Sequence, residues 1–588
     1  MAARKSKASE TTDESGKQAA KAAPAKTKGA KIAFALLAPY NEDVQLMGEW
    51  DGWKKHRMEK DKGGVWRIDI PLEDGDYEYK FSLKSKSYFA DGQQVEIADP
   101  TAIELGKTTR DNALMRVRDG HISPVNYEWK HNDVPLVPNR DLVIYEMHLG
   151  DFCGGPGDVD DQPGTFRKAI AKLDYLADLG INAIEIMPVT EIPGNNYWGY
   201  SQRSLYAVEN RYGTPDELAE FIDACHGRGI RVIQDVVFNH MDTDSPLTMI
   251  DHNYFFYGDN PDGPELQFGP KFNFEFRDEV LGLWPARQHV IGAVHAWLDL
   301  FHLDGFRFDA TRAIKYFDLL DWLNDEAHKR EGFKPFLTIA EHIPQDPAIA
   351  DADGPMDAAW HDNFFRQMCA TTLGAEWEGR NPFDTDAVLN LMDGRNEGFG
   401  SPYNTVHYVA THDQDHIMYL MGAHANTFDE AAFRRNKLGA TLVLTSPGIP
   451  MIWMGEEFGQ PTPRTHGRQP LIWALLGEER NQGLHAHHKN LIALRKQNPA
   501  LTSENYQPLL SDRERGLLAF KRWADGGNIV VVAASLRSDS GGEIAIPLEN
   551  VQDGTWRECI YGYDVEVSNG ILRDVLHEAE AKVYVKQD

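Results

Sequence analysis

The sequence predicts an α/β fold: a (β/α)₈ barrel with a β-sandwich before it and another after it. Three observations lead there. Strand and helix patterns alternate through the middle of the chain, as they do where parallel strands are joined by helices. Four apolar runs in that region end in polar, titratable residues, and a barrel keeps its chemistry at the C-terminal ends of its strands. On either side of the region the pattern changes to short strands separated by turn residues.

The elements follow in order. Residues 1–31 are rich in Lys, Ala, Ser and Thr and read as a disordered basic tail. Residues 32–118 contain the strand-like runs 32–37, 44–48, 65–70 and 77–81. The turns between them carry Asp51-Gly52, Gly63-Gly64 and Asp74-Gly75-Asp76. This is the signature of a small β-sandwich. The barrel is expected over 135–500, with a first strand at 142–148, a helix at 166–179 and a strand at 183–188. A helix at 215–228 and a buried strand at 231–237 come next. Residues 241–284 break the alternation, read as loop, and are rich in Asp, Pro, Gly and Phe. A long insertion at that place builds one wall of an active site. Residues 447–459 read as a late strand with its loop, and 485–497 as the last barrel helix. The runs 517–520, 529–533 and 583–585 place a second β-sandwich over 502–588.

The most informative stretch is Gly305-Phe306-Arg307-Phe308-Asp309-Ala310. Side chains two apart on a strand share a face, which sets Arg307 beside Asp309. A neighbouring guanidinium lowers a carboxyl's pKa and keeps it charged, as a nucleophile requires. Three further runs end similarly: Asp235 to His240 (DVVFNH), 336–342 ending in Glu341-His342, and 407–413 ending in Thr411-His412-Asp413. Each alone reads as a capped strand end. Four in series point to one site assembled from several strands.

These segments resemble the four signature regions of the α-amylase superfamily of retaining α-glucan enzymes, in order: DVVFNH, GFRFDATR, IAEH and ATHDQ. The resemblance implies that Asp309 is the nucleophile and Glu341 the general acid/base. It implies that Asp413 is a third carboxylate binding sugar hydroxyls, that Arg307 positions Asp309, and that His240 and His412 bind hydroxyls of the sugar under attack. Tyr200, in Asn196-Tyr197-Trp198-Gly199-Tyr200, resembles the family's stacking aromatic; packing inside the barrel is its plainer reading. Residues 32–118, through GEWDGW (48–53), YEYKF (77–81) and Asp99-Pro100, resemble the glycogen- and starch-binding type of module. Such a module binds glucan or only packs on the barrel.

The chemistry explains the residue types. Glycoside cleavage with retention needs one carboxylate to attack the anomeric carbon and one carboxyl to protonate the leaving oxygen, about 5–5.5 Å apart. Their pKa values must be driven apart. Beside Arg307 the first of these is supplied, whereas Glu341 has no adjacent basic residue in sequence except His342.

Composition narrows the partners. The chain has 588 residues, enough for several domains, and 90 acidic against 60 basic residues give a formal charge of -30. That excess disfavours nucleic acid and anionic membrane and suits a neutral polysaccharide. The expected substrates are glycogen, amylose and malto-oligosaccharides. Cys153, Cys225, Cys369 and Cys559 lie far apart without metal-like spacing and fit reduced thiols in a cytoplasmic protein. No cofactor is expected: Asn239 allows a calcium ligand, but no run of acidic oxygen ligands accompanies it. Neither a secretory signal nor a membrane-spanning stretch is expected from the sequence.

Within the superfamily, the N-terminal module, MGEEFGQ (454–460) and residues 348–362 look most like 1,4-α-glucan branching enzymes. Asn239-His240 is shared with amylases, and Thr411 stands where branching enzymes commonly carry serine. An α-1,4-glucan hydrolase and a malto-oligosyltrehalose trehalohydrolase are therefore the alternatives. A non-catalytic glucan-binding scaffold is remote because the carboxylate trio is intact.

Overall fold

A computed structural model describes residues 29–155, 163–194, 198–331, 334–539, 541–549, 551 and 553–587. Residues 1–28 of the expected tail lie outside them. The tail's predicted end is corrected: Ala30 and Lys31 already belong to the strand Ala30–Leu37. They pair with Leu72 and Pro71, and Lys31 sits on the outward face, where alternation tolerates a charge.

Two sheets form the N-terminal module. One joins Ala30–Leu37, Val65–Leu72 and Glu59–Lys60. The other is centred on Glu42–Gly48, Gly75–Lys84 and Ala113–Arg118. Inward residues Phe34, Leu36, Val44, Leu46, Phe81, Leu83 and Val117 are buried between them.

Eight parallel strands close the barrel: Ile144–Met147, Ala183–Ile186, Arg231–Val236, Gly305–Phe308, Leu337–Ala340, Ala358–Trp360, Thr405–His407 and Ile449–Trp453. Ile144, Ala183, Ile233, Leu337, Ile339, Ala358 and Met451 pack together in one buried apolar cluster. Two residues further along four of the strands the side chains turn polar: Glu146, Glu185, Asp235 and Arg307. This switch from apolar to charged divides the packed barrel floor from its chemical end.

Two expectations need correction here. The helix predicted at 166–179 is two helices, Phe166–Ile170 and Leu173–Leu179, separated at Ala171-Lys172. The insertion at 241–284 is not all loop. Pro246–Phe255 is a helix, started by Pro246 at its first position and kinked at Asp251. Its core is aromatic: Phe256 and Phe272 stack with centroids 4.9 Å apart. The insertion also seats the N-terminal module. Asn41 Nδ2 and the Lys86 amide both donate to the Ile250 carbonyl, at 2.8 and 2.9 Å.

The C-terminal domain pairs a six-stranded sheet with the two-stranded sheet of Gly542–Pro547 and Ile571–Leu576. The last barrel helix, Glu479–Gln497, begins six residues before its predicted start. All four cysteines are free thiols. Among the described residues no helix is long and apolar enough to cross a membrane.

Candidate active site

Four strand ends converge on Arg307. Its strand can lie close to the next because Gly305 has no side chain: a Cβ there would stand 2.4 Å from the Leu337 carbonyl oxygen. Arg307 is completely buried. Its Nη1 donates to both oxygens of Asp235, at 3.0 and 2.9 Å, and to Asp309 Oδ1 at 3.0 Å. Its Nη2 lies 3.2 Å from Glu341 Oε2. The Trp360 ring covers the guanidinium, 4.3 Å from its carbon. A planar fork of fixed donors is the group that can bind several carboxylates at once.

Asp309 follows directly after the fourth strand, and its amide donates to the Val236 carbonyl at 3.0 Å. Ala310 then takes a left-handed conformation, φ 48°, rare for a residue with a Cβ. That turn aims its amide at Glu341 Oε2, 2.7 Å away. Thr311 completes the junction: its amide and hydroxyl both donate to the Glu341 carbonyl, at 2.9 and 2.7 Å.

Both electrostatic expectations are corrected by this arrangement. Glu341 has a basic neighbour, Arg307, from another strand. His342 turns away, its Nδ1 3.1 Å from the Thr311 hydroxyl. Nor does Arg307 leave Asp309 with a low pKa. Burial and the charge of Glu341 push Asp309 well above the usual carboxylate range, against the pull of Arg307. Burial, again opposed by Arg307, raises Glu341 as well. Asp309 and Glu341 share this one guanidinium and titrate as a coupled pair, both above the ordinary carboxylate range.

His412 and Asp413 close the second side. His412 Nδ1 lies 2.6 Å from Glu146 Oε1, and its Nε2 lies 3.6 Å from Asp413 Oδ1. Burial opposes charge on His412, but Asp413 and Glu146 outweigh it and lift its pKa to about 9. Burial lifts Glu146 too; the 2.6 Å contact is nevertheless that of a charged pair. Asp413 is held below its ordinary value: burial works against its charge, and His412, Arg307 and Arg464 overcome it. Arg464 Nη2 donates to Asp413 Oδ1 at 3.3 Å and its guanidinium lies 5.0 Å from the Trp198 ring centroid. Thr411 anchors the turn, donating its hydroxyl to Gln414 Oε1 at 2.7 Å and accepting the Asp413 amide at 3.2 Å.

Tyr200 and His240 form the third side. Tyr200 donates its hydroxyl to Asp235 Oδ2 at 2.6 Å, and its ring stacks on His412 with centroids 5.2 Å apart. It is half-buried. Asn196 and Tyr197, quoted with it in the sequence motif, lie outside the described residues. His240 Nε2 is 2.9 Å from the Tyr200 carbonyl, so that nitrogen donates to the backbone. Burial lowers the His240 pKa to about 4, leaving the ring neutral.

The structure thus gathers Tyr200, His240, Arg307, Asp309, Glu341, His412 and Asp413 at one mouth. Sequence reasoning missed Glu146, Trp360 and Arg464. Glu146 had a signal, a lone charge inside the apolar run 142–147. Arg464 had none, because it reaches Asp413 from a loop 51 residues further on.

Among the described residues no group of three or more His, Cys, Asp or Glu is arranged to hold a metal ion. Asn239 Oδ1 is buried without a hydrogen-bond partner, but one orphan oxygen does not make the six to eight that calcium takes.

Carboxyls gathered on one arginine at the C-terminal end of a (β/α)₈ barrel are the kind of groups that retaining glycoside cleavage requires. Comparison with known proteins specifies the family. Residues 89–253 match the α-amylase catalytic domain, and residues 21–102 match carbohydrate-binding module 48, the isoamylase N-terminal domain. The malto-oligosyltrehalose trehalohydrolase of Saccharolobus solfataricus is 30% identical over 462 residues, 74% of either chain. The 1,4-alpha-glucan branching enzyme GlgB of Prochlorococcus marinus (strain MIT 9211) is 27% identical over 597 residues, 88% of this chain and 74% of that one. The type I pullulanase of Bacillus subtilis, solved with maltose, superposes with a TM-score of 0.77 at 20% identity, covering 96% of this chain and 86% of that one. The chain belongs to the α-amylase family and is a glucan-active enzyme of that family.

Proposed function

We propose that the protein is a 1,4-α-glucan branching enzyme, cutting an α-1,4 bond and transferring the chain to a 6-hydroxyl. The observation that carries the chemistry is the contact of Arg307 with both Asp309 and Glu341. In this reading Asp309 attacks the anomeric carbon and Glu341 gives its proton to the leaving oxygen, forming a glycosyl-Asp309 ester. Glu341 then takes the proton of the incoming hydroxyl as that oxygen displaces Asp309. Asp413 and charged His412 bind hydroxyls of the same sugar, and Tyr200 and His240 complete its pocket. No metal takes part.

Transfer rather than hydrolysis is supported by the extent of the likeness. The branching-enzyme match spans 88% of this chain, the trehalohydrolase match 74%. The trehalohydrolase, at higher identity, is the second reading.

The test is to incubate the protein with amylose, with and without a chelator, and to follow products by proton NMR and a reducing-end assay. Branching raises α-1,6 signals at the expense of α-1,4 signals with few new reducing ends, unaffected by the chelator. Release of reducing ends without branches, or activity confined to chains capped by a trehalosyl unit, overturns transfer. Loss of activity in chelator, restored by calcium, overturns the metal-free reading.

A further inference from the structure

Phe268 is a large apolar side chain left about half exposed, 49%, at the edge of the active site. Its ring centroid lies 5.5 Å from that of His240 at an interplanar angle of 38°. Buried aromatics of the same insertion pack on each other, so an exposed one held at the site has a different use.

The chain holds it there from two sides. On the first, the insertion is laced to the end of the third barrel strand. The Met241 amide donates to the Pro270 carbonyl and the Phe272 amide to the Asn239 carbonyl, both at 3.1 Å, and Lys271 bridges His240. Gly269 permits the approach, since a Cβ there would come within 2.4 Å of the Met241 carbonyl oxygen and 3.3 Å of the His240 ring. On the second side, the Lys271 side chain crosses to the element that follows Asp309. Its Nζ donates to the Ala313 carbonyl at 2.6 Å and pairs with Asp262, itself paired with Lys315. Lys271 and Asp262 side chains are 2% and 0% exposed. Ala313 belongs to Thr311–Ile314, the short helix directly after Asp309-Ala310.

We propose that Phe268 is a stacking platform for the glucose unit next to the one attacked by Asp309, and that Lys271 with Asp262 is the positioning pair that sets its place. The apolar face of a glucose ring fits an exposed aromatic face, as stacked rings fit one another. A buried charge pair fixes geometry because neither partner can leave the other. This rests on the α-glucan reading of the site, whichever hydroxyl arrives second.

The test uses the full chain with Phe268→Ala, Phe268→Trp, Lys271→Met and Lys315→Met on malto-oligosaccharides and amylose. Phe268→Ala should raise KM about tenfold with kcat changed less than about threefold, the pattern of a lost binding contact. Phe268→Trp should restore KM. Lys271→Met should raise KM in the same direction, and the double variant with Phe268→Ala should be no worse than the more impaired single one. If Lys271→Met does not fold, Lys315→Met, at the half-exposed end of the clamp, should show a smaller rise. An unchanged KM in Phe268→Ala, or a raised KM that Trp fails to restore, overturns the platform and leaves the branching reading standing. Hydrolytic products from the wild type overturn branching and leave the platform standing.

Discussion

At the scale of single residues the central feature is charge sharing. Arg307 is one cation among Asp235, Asp309 and Glu341, and His412 supplies a second between Glu146 and Asp413. The second cation gives a pH prediction. His412 is raised from 6.5 to about 9, so folding favours its charged form. The stabilisation is full below about pH 6.5 and is lost as pH rises through about 9, on the order of 3 kcal/mol in all. Glu146→Gln removes part of that lift. Followed by its ring-proton NMR signals, His412 should titrate at lower pH in the variant than in the wild type. A His412 titration that does not move contradicts the charged pair. Asp309, Glu341 and Asp413 were legible in sequence because each ends an apolar run. Their electrostatics were not. A one-dimensional reading pairs Arg307 with its neighbour two residues on, whereas the folded site brings two more carboxyls to it from other strands.

At the scale of elements, local signals decided what was readable. The helix Pro215–His226 carries its own start signal, Thr214 then Pro215 with Glu217 at the third position. Thr214 and Glu217 cap each other: the Glu217 amide donates to the Thr214 hydroxyl at 3.3 Å, and the Thr214 amide to Glu217 Oε2 at 2.8 Å. Thr214→Ala should cost about 1 kcal/mol. A chain of several domains has no single unfolding free energy. The measurement is therefore hydrogen exchange, and amides of the helix's first turn should exchange about fivefold faster. Unchanged exchange would mean that packing alone holds this end. The insertion at 241–284 was harder to read. Its helix has few turns and a kink at Asp251, and its fold depends on Phe256, Phe272 and the Lys271–Asp262 pair meeting across the chain. Neither strand nor helix period marks such a segment.

At the scale of the whole molecule, the barrel carries the clustered carboxyls, the insertion packs beside His240, and the N-terminal module is fastened to that insertion through Ile250. The alternating middle and turn-rich flanks made this architecture readable. The contact of Arg464 with Asp413 was not, because Arg464 and Trp198 meet only after the loop following the last barrel strand folds back over Asp413. The claim on which the rest depends is that Asp309 forms a covalent bond to the sugar. A fluorinated α-glycosyl fluoride, whose ester with a carboxylate turns over slowly, tests it by peptide mapping in a mass spectrometer. The sugar mass should appear on the peptide containing Asp309 and vanish in Asp309→Asn. Glu341→Gln should lose turnover by about 10²–10⁴-fold. A label on Glu341 or Asp413, or an Asp309→Asn protein that still turns over substrate, would contradict the assignment.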